Sequence, residues 1–157
     1  MSLEIINFDK CKSYGKLYGG SEEKLALIHD GKKYMVKFQK DSPYGLRFNH
    51  ISEYVGSHIY NMLGINAQET ILGTYKDRYV VGCLDFLEDD EKFVPFNDVG
   101  ESTIDDDMEN YQYSYEDILE LLNANKKLTN TQDTVSAFFD MFIVDSLIGN
   151  FDRHGMN

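Results

Sequence analysis

Two short runs, Leu25-Ala26-Leu27-Ile28-His29 and Lys32-Lys33-Tyr34-Met35-Val36-Lys37-Phe38, are separated only by Asp30-Gly31. No other stretch narrows the possible folds so far. A two-residue Asp-Gly link favours a type I′ turn, because that turn wants positive φ at both central positions, and its twist suits two antiparallel strands. The period of two along a strand then puts Tyr34, Val36 and Phe38 on one face, with Met35 and Lys37 on the other. One face of the hairpin has apolar surface to bury, and the other carries a cation.

The flanks extend this pattern. Residues 3–8 suit a strand, and Leu17-Tyr18-Gly19-Gly20-Ser21-Glu22-Glu23-Lys24 is a glycine-containing turn leading into the hairpin. Pro43 and Gly45 mark residues 39–48 as a loop. A helix is predicted over residues 49–63, with Asn49 as N-cap, Ile51, Val55, Ile59 and Met62 at helical spacing, and Gly64 at the C′ position. Glu53 falls with Gly56, Ser57 and Tyr60, off the aliphatic stripe, so periodicity alone does not turn it inward. Residues 68–74 and 78–86 read as two further strands around Tyr75-Lys76-Asp77. Val80-Val81-Gly82-Cys83-Leu84 is apolar enough for a central buried strand.

Beyond residue 87 the character changes. Residues 88–120 are strongly acidic around Asp105-Asp106-Asp107 and read as a solvated connection between two lobes, giving domains 1–87 and 88–157. Ser114-Tyr115-Glu116-Asp117 opens a helix in capping-box fashion, with Ile118, Leu121 and Leu122 on its apolar side. Residues 131–148 form a helix that is apolar nearly all round, as befits a helix inside a larger lobe. A formal net charge of -12 argues against nonspecific binding to nucleic acid or anionic membrane, since polyanions would be repelled. There is neither a membrane-length apolar run nor a signal-peptide profile, so the expectation is a cytoplasmic protein. Cys11 and Cys83 lack the C-x-x-C or histidine spacing of zinc or redox sites.

The final residues, Asn150-Phe151-Asp152-Arg153-His154-Gly155-Met156-Asn157, put an acid, a histidine and an amide in one short loop. Those groups suit phosphoryl transfer, which needs a base or orienting carboxylate and a metal-binding carbonyl beside the terminal phosphate of ATP. Each piece also has an ordinary reading: a solvated turn for the loop, a turn for Gly19-Gly20, an edge-strand surface cation for Lys37.

Taken together, Gly19 to Lys24, Val36-Lys37-Phe38, Glu53 with Gly64, and Asn150-x-Asp152-x-His154-x-x-Asn157 resemble the HipA-like serine/threonine kinases in order and spacing, from Tyr18 onward. The resemblance implies an α+β fold: a protein-kinase-like small lobe of antiparallel sheet plus one helix, followed by the first helices of an incomplete helical large lobe. It also implies ATP and Mg²⁺ as cofactors. Gly19, Gly20, Ser21 and Lys24 would cover the phosphates, Lys37 would bind the α and β phosphates with Glu53 as its partner, and Leu84 to Phe86 would form the adenine hinge. Asp152 would be the catalytic aspartate, with His154 structural or phosphate-adjacent beside it, and Asn157 would bind Mg²⁺. The acceptor would be a hydroxyl of an unidentified protein, and an antitoxin-like or other regulatory protein is a conceivable partner. A second metal-binding aspartate, which the resemblance implies downstream of the loop, would fall beyond Asn157, so the chain by itself is expected to have little phosphotransferase activity. The regulatory serine that family members carry ahead of the glycine loop is replaced here by Tyr14-Gly15-Lys16-Leu17. Two other readings stay open at this point: a phosphoinositide-type lipid kinase, which shares the D-R-H-x-x-N loop, and a non-catalytic nucleotide-binding or interaction module.

Overall fold

The structure, a computed structural model, describes residues 4–19, 22–87, 91, 114–124 and 131–151. The backbone forms two units, Met1–Glu88 and Asp89–Asn157.

The hairpin is the centre of the first unit. β3 (Lys24–His29) and β4 (Lys32–Phe38) pair antiparallel, with Leu25 opposite Val36 and Leu27 opposite Tyr34. Asp30 and Gly31 have φ values of 47° and 77°, the two positive values a type I′ turn needs. β7 (Thr70–Tyr75) and β8 (Arg78–Leu84) form a second hairpin, whose link residues Lys76 and Asp77 also have positive φ, 48° and 62°. No glycine relieves this turn. Instead, the Lys76 amide donates to Asp9 Oδ1 at 2.7 Å, which holds the turn from the N-terminal segment.

The full sheet has six strands in the order β1-β7-β8-β4-β3-β2, where β1 (Ile6–Asn7) and β2 (Lys12–Ser13) are short edges. β1 runs parallel to β7, while the other pairs of this sheet are antiparallel. The expected wholly antiparallel sheet is therefore corrected at one edge. A turn closed by the Cys11 amide on the Phe8 carbonyl reverses the chain, so β1 and β2 dock on opposite edges. Phe8 lies in that crossing and is fully buried, packed with Leu27, Tyr34, Val36, Phe38 and Val80. Its ring needs bare backbone beneath it. A Cβ on Gly73 would sit 2.5 Å from the Ile6 carbonyl oxygen and 2.6 Å from the Phe8 ring, and one on Gly82 would sit 2.9 Å from the same ring.

Residues 39–48 are not wholly irregular, since β5 (Asp41–Ser42) and β6 (Gly45–Leu46) make a small separate hairpin. Next comes α1 (Asn49–Met62), packed on β7 and β8. Its end is as expected: Gly64 has φ 77°, its amide bonds the Asn61 carbonyl, and the Ile65 amide bonds the Tyr60 carbonyl, the paired bonds of a Schellman motif. Its start is not. The capping position is Phe48, with no side-chain cap, and Asn49 is otherwise engaged. Asn49 Nδ2 donates to the Phe38 carbonyl at 3.0 Å and Oδ1 accepts the Lys40 amide at 2.9 Å, satisfying backbone groups where β4 ends.

The aliphatic stripe of α1 also faces the other way. Ile51, Val55 and Met62 are exposed, whereas His50 and Tyr60 are buried. Ser57 Oγ lies 2.6 Å from Thr70 Oγ1 on β7. The sheet face beneath α1 carries Leu72, Val81 and Cys83 together with two polar groups, Lys37 and Thr70, and the polar side of the helix supplies partners for those two.

In the second unit, α2 (Tyr115–Ala124) packs on α3 (Thr131–Ile148). The capping box is formed in both directions: the Asp117 amide donates to Ser114 Oγ at 3.1 Å, and the Ser114 amide donates to Asp117 Oδ2 at 2.9 Å. Leu122, Val144 and Asp145 are buried, while Phe142, Ile143 and Leu147 are exposed. Gly149, with φ 70°, stops α3. Among the described residues no helix is long and apolar enough to cross a membrane.

Candidate functional site

β4 sits between β3 and β8, so its inner strand position fixes Lys37 rigidly, with Lys24 as its neighbour on one side and Val81 on the other. Lys37 Nζ reaches Glu53 Oε1 on α1 at 2.5 Å, and the two side chains are 17% and 33% exposed. The helix orientation described above produces this pair. Once α1 lays its polar side on the sheet, Glu53 points at Lys37. Burial on its own pulls the Lys37 pKa down, but the Glu53 carboxylate, with smaller contributions from Cys83 and Glu22, offsets this and leaves it above the ordinary lysine value. Cys83, directly across from Met35 on β8, lies with Sγ 3.8 Å from Glu53 Oε1, and burial pushes its thiol up to about 12. It is therefore a neutral wall of the site rather than a nucleophile.

The described residues flanking the glycine turn are held from both sides. Lys24 Nζ donates to the Gly19 carbonyl at 2.6 Å. Glu22 pairs with Lys40, and Glu23 with Arg78 at 2.9 Å. The Lys40 ammonium bonded to Glu22, with further attraction from Lys37 and Lys24, keeps the Glu22 carboxyl below its usual range against the opposing effect of burial.

At the other end of β8, the Leu84 amide donates to the Glu69 carbonyl at 2.8 Å, and the Leu84 carbonyl accepts Gln68 Nε2 at 2.9 Å. The Asp85 amide donates to the Lys33 carbonyl at 2.8 Å. Phe86 is more than half exposed. The Asp85 carboxylate collects three donors on one oxygen, Oδ2: Lys16 Nζ at 2.6 Å, Tyr18 Oη at 2.7 Å and Tyr14 Oη at 3.0 Å.

The structure thus brings Lys37, Glu53, Lys24 and Gly19 onto one lobe, with Leu84 and Phe86 at the far end of β8. Gly20, Ser21, Asp152, His154 and Asn157 lie outside the described residues. The segment leading to the last three is tied down, because the Asn150 amide bonds the Asp145 carbonyl at 2.9 Å and Asn150 Nδ2 bonds Asp145 Oδ1 at 2.7 Å. Among the described residues no group of three or more His, Cys, Asp or Glu side chains is arranged to hold a metal ion. Asp85 and its tyrosines, and Gln68, escaped the sequence reading. The one available signal was an acid closing the apolar Val80 to Leu84 run.

A small sheet, one helix and a strand lysine paired with a helix glutamate beside a glycine turn define a protein-kinase-like small lobe of α+β class. The profile of the HipA-like C-terminal domain matches residues 17–157, and the chain belongs to that family. The serine/threonine-protein kinase CtkA of Helicobacter pylori is 34% identical over 161 residues, covering 99% of this chain and 49% of the relative. The crystal structure of a Helicobacter pylori proinflammatory kinase CtkA superposes with a TM-score of 0.83 at 32% identity, covering 98% of this chain and 54% of that one. The chain therefore spans about half the length of the relatives it matches.

Proposed function

We propose that this chain carries the nucleotide-binding lobe and the catalytic-loop segment of an ATP-dependent kinase that phosphorylates a serine or threonine hydroxyl of a protein. The observation that carries the reading is the Lys37–Glu53 pair, a shielded ammonium held by a helix carboxylate on a central strand. A lysine so held presents a localised positive charge of the kind that binds the α and β phosphates. Glu53 holds the ammonium in place, and the glycine-containing sequence from Gly19 to Lys24 leads into β3, where its backbone amides would cover phosphates. The residues present fit ATP: a cation for the phosphates, and the exit of β8 at Leu84 to Phe86 for the adenine edge. ATP supplies the phosphoryl group, and Mg²⁺ spreads the charge of its phosphates. By the family resemblance Asp152 would orient the acceptor hydroxyl, His154 would be structural or phosphate-adjacent, and Asn157 would contribute to holding Mg²⁺. Membership of a family with a serine/threonine kinase relative favours a protein hydroxyl as acceptor.

Isothermal titration with ATP, in the presence and absence of Mg²⁺, tests the reading. The unsubstituted chain is expected to bind, and Lys37→Ala to weaken binding at least about tenfold, the scale of a lost charge-assisted contact to phosphate. A folded unsubstituted chain that does not bind ATP would refute it.

A further inference from the structure

We propose that Asp85 is a positioning residue that fastens the entry arm of the glycine loop to the hinge, and so sets how tightly the loop covers the nucleotide's phosphates. This inference rests on the nucleotide reading above.

The geometry singles out Asp85 among the contacts that hold the loop. On the exit arm, Glu23 and Arg78 are 57% and 49% exposed and Glu22 and Lys40 are 33% and 40% exposed, pairs that contribute less in water than a buried one. On the entry arm, the Asp85 side chain is only 7% exposed and accepts from Lys16, Tyr18 and Tyr14 on the same oxygen. Charge-assisted bonds to a shielded carboxylate are about twice as strong as neutral ones. Lys16 Nζ lies 5.1 Å from the Tyr18 ring centre, so these two donors also pack on each other. Tyr18 immediately precedes Gly19, whose carbonyl holds Lys24. The cluster therefore ends where the turn begins.

Asp85 is itself held at its backbone by hydrogen bonds. Its amide is bonded to Lys33 on β4, and Leu84 is bonded on both its amide and its carbonyl to residues 68 and 69. Shortening the Asp85 side chain removes no part of this backbone scaffold. The hinge should therefore persist while the loop loosens, which separates contacts to the base from contacts to the phosphates.

The experiment compares Mg²⁺-ATP with adenosine by isothermal titration, using the unsubstituted chain and Asp85→Ala, with hydrogen exchange followed across residues 14–24. Asp85→Ala is expected to weaken ATP about tenfold more than it weakens adenosine, with faster exchange across the loop. Equal losses for both ligands would mean a general structural defect and would overturn the proposal, as would an ATP affinity within about twofold of the unsubstituted chain. If Asp85→Ala does not fold, Tyr18→Phe removes one donor and keeps the ring. It should then show the same split at about two- to fivefold, and no split would overturn the proposal. An unsubstituted chain that binds neither ligand would instead refute the nucleotide reading, and this inference with it.

Discussion

Replacing Glu53 by glutamine keeps the shape of the side chain and strands the Lys37 ammonium. Exposed ion pairs contribute about 0.2–1 kcal/mol, whereas breaking a fully buried pair costs about 3–5 kcal/mol. At 17% and 33% exposure this pair lies between those limits, and Glu53→Gln is expected to cost about 2 kcal/mol. Lys37→Met keeps the aliphatic stem and leaves the more exposed partner, Glu53, with the Cys83 thiol still 3.8 Å away, so its cost should be smaller, about 1 kcal/mol. The double variant should lose less than the sum, with a coupling of about 1 kcal/mol. Urea titration followed by circular dichroism measures all four corners. In a thermal scan Glu53→Gln should lower the Tm of the first unit, Met1–Glu88, by roughly 8–16 °C, given about 4–8 °C per kcal/mol for a domain of that size. Because the Lys37 pKa is raised in the folded state, its stabilisation is fully present below the ordinary lysine value and is lost as pH rises through the folded value. The coupling should then be flat between about pH 6 and 9 and fade only in strong alkali. Strict additivity, or a cost from Lys37→Met larger than that from Glu53→Gln, would refute the reasoning.

Gly73→Ala is expected to destabilise by about 2–3 kcal/mol, because its Cβ meets the Ile6 carbonyl and the Phe8 ring at 2.5 and 2.6 Å, and one of those is backbone; a loss below about 0.5 kcal/mol in urea unfolding would show that β1 yields freely. Burial alone would raise the Asp85 pKa, but the bonds from Lys16, Tyr18 and Tyr14 hold it below the ordinary aspartate value. Its stabilisation is thus present above about pH 3.9 and lost as pH falls through the lower folded value, so the stability gap to Asp85→Asn should shrink in that acid range. Urea midpoints measured from neutral pH downward check this, and a gap unchanged in strong acid would contradict it. Burial raises the Tyr14 hydroxyl to about 12, so both it and the still higher Tyr18 remain donors throughout that titration.

Much of the sheet was legible because its rules are local. Asp30-Gly31 fixes a turn, alternation sorts Tyr34, Val36 and Phe38 from Met35 and Lys37, and both follow from a few neighbouring residues. Gly64 and the Ser114 to Asp117 box were equally readable, since a cap needs only its own turn. Asn49 was misread because its amide had a better use in the end of β4, and nothing local reveals that competition. The parallel edge strand was missed for a similar reason: a two-residue strand has no pattern of its own, and Phe8 places it by crossing the core.

By itself, then, the sequence determined the central hairpin, the order of the described strands and helices around it, and the identity of Lys37 as the strand cation. Only the tertiary structure decided which way α1 faces. Its aliphatic stripe suggested one side, but the sheet beneath it presents Lys37 and Thr70 among Leu72, Val81 and Cys83, and a shielded cation needs a carboxylate partner, so Glu53 and Ser57 turned inward. Tertiary structure alone also brought Tyr14, Lys16 and Tyr18 to Asp85, residues some seventy positions apart in the chain, because an acid at the end of a buried strand draws donors from whatever segment packs against it.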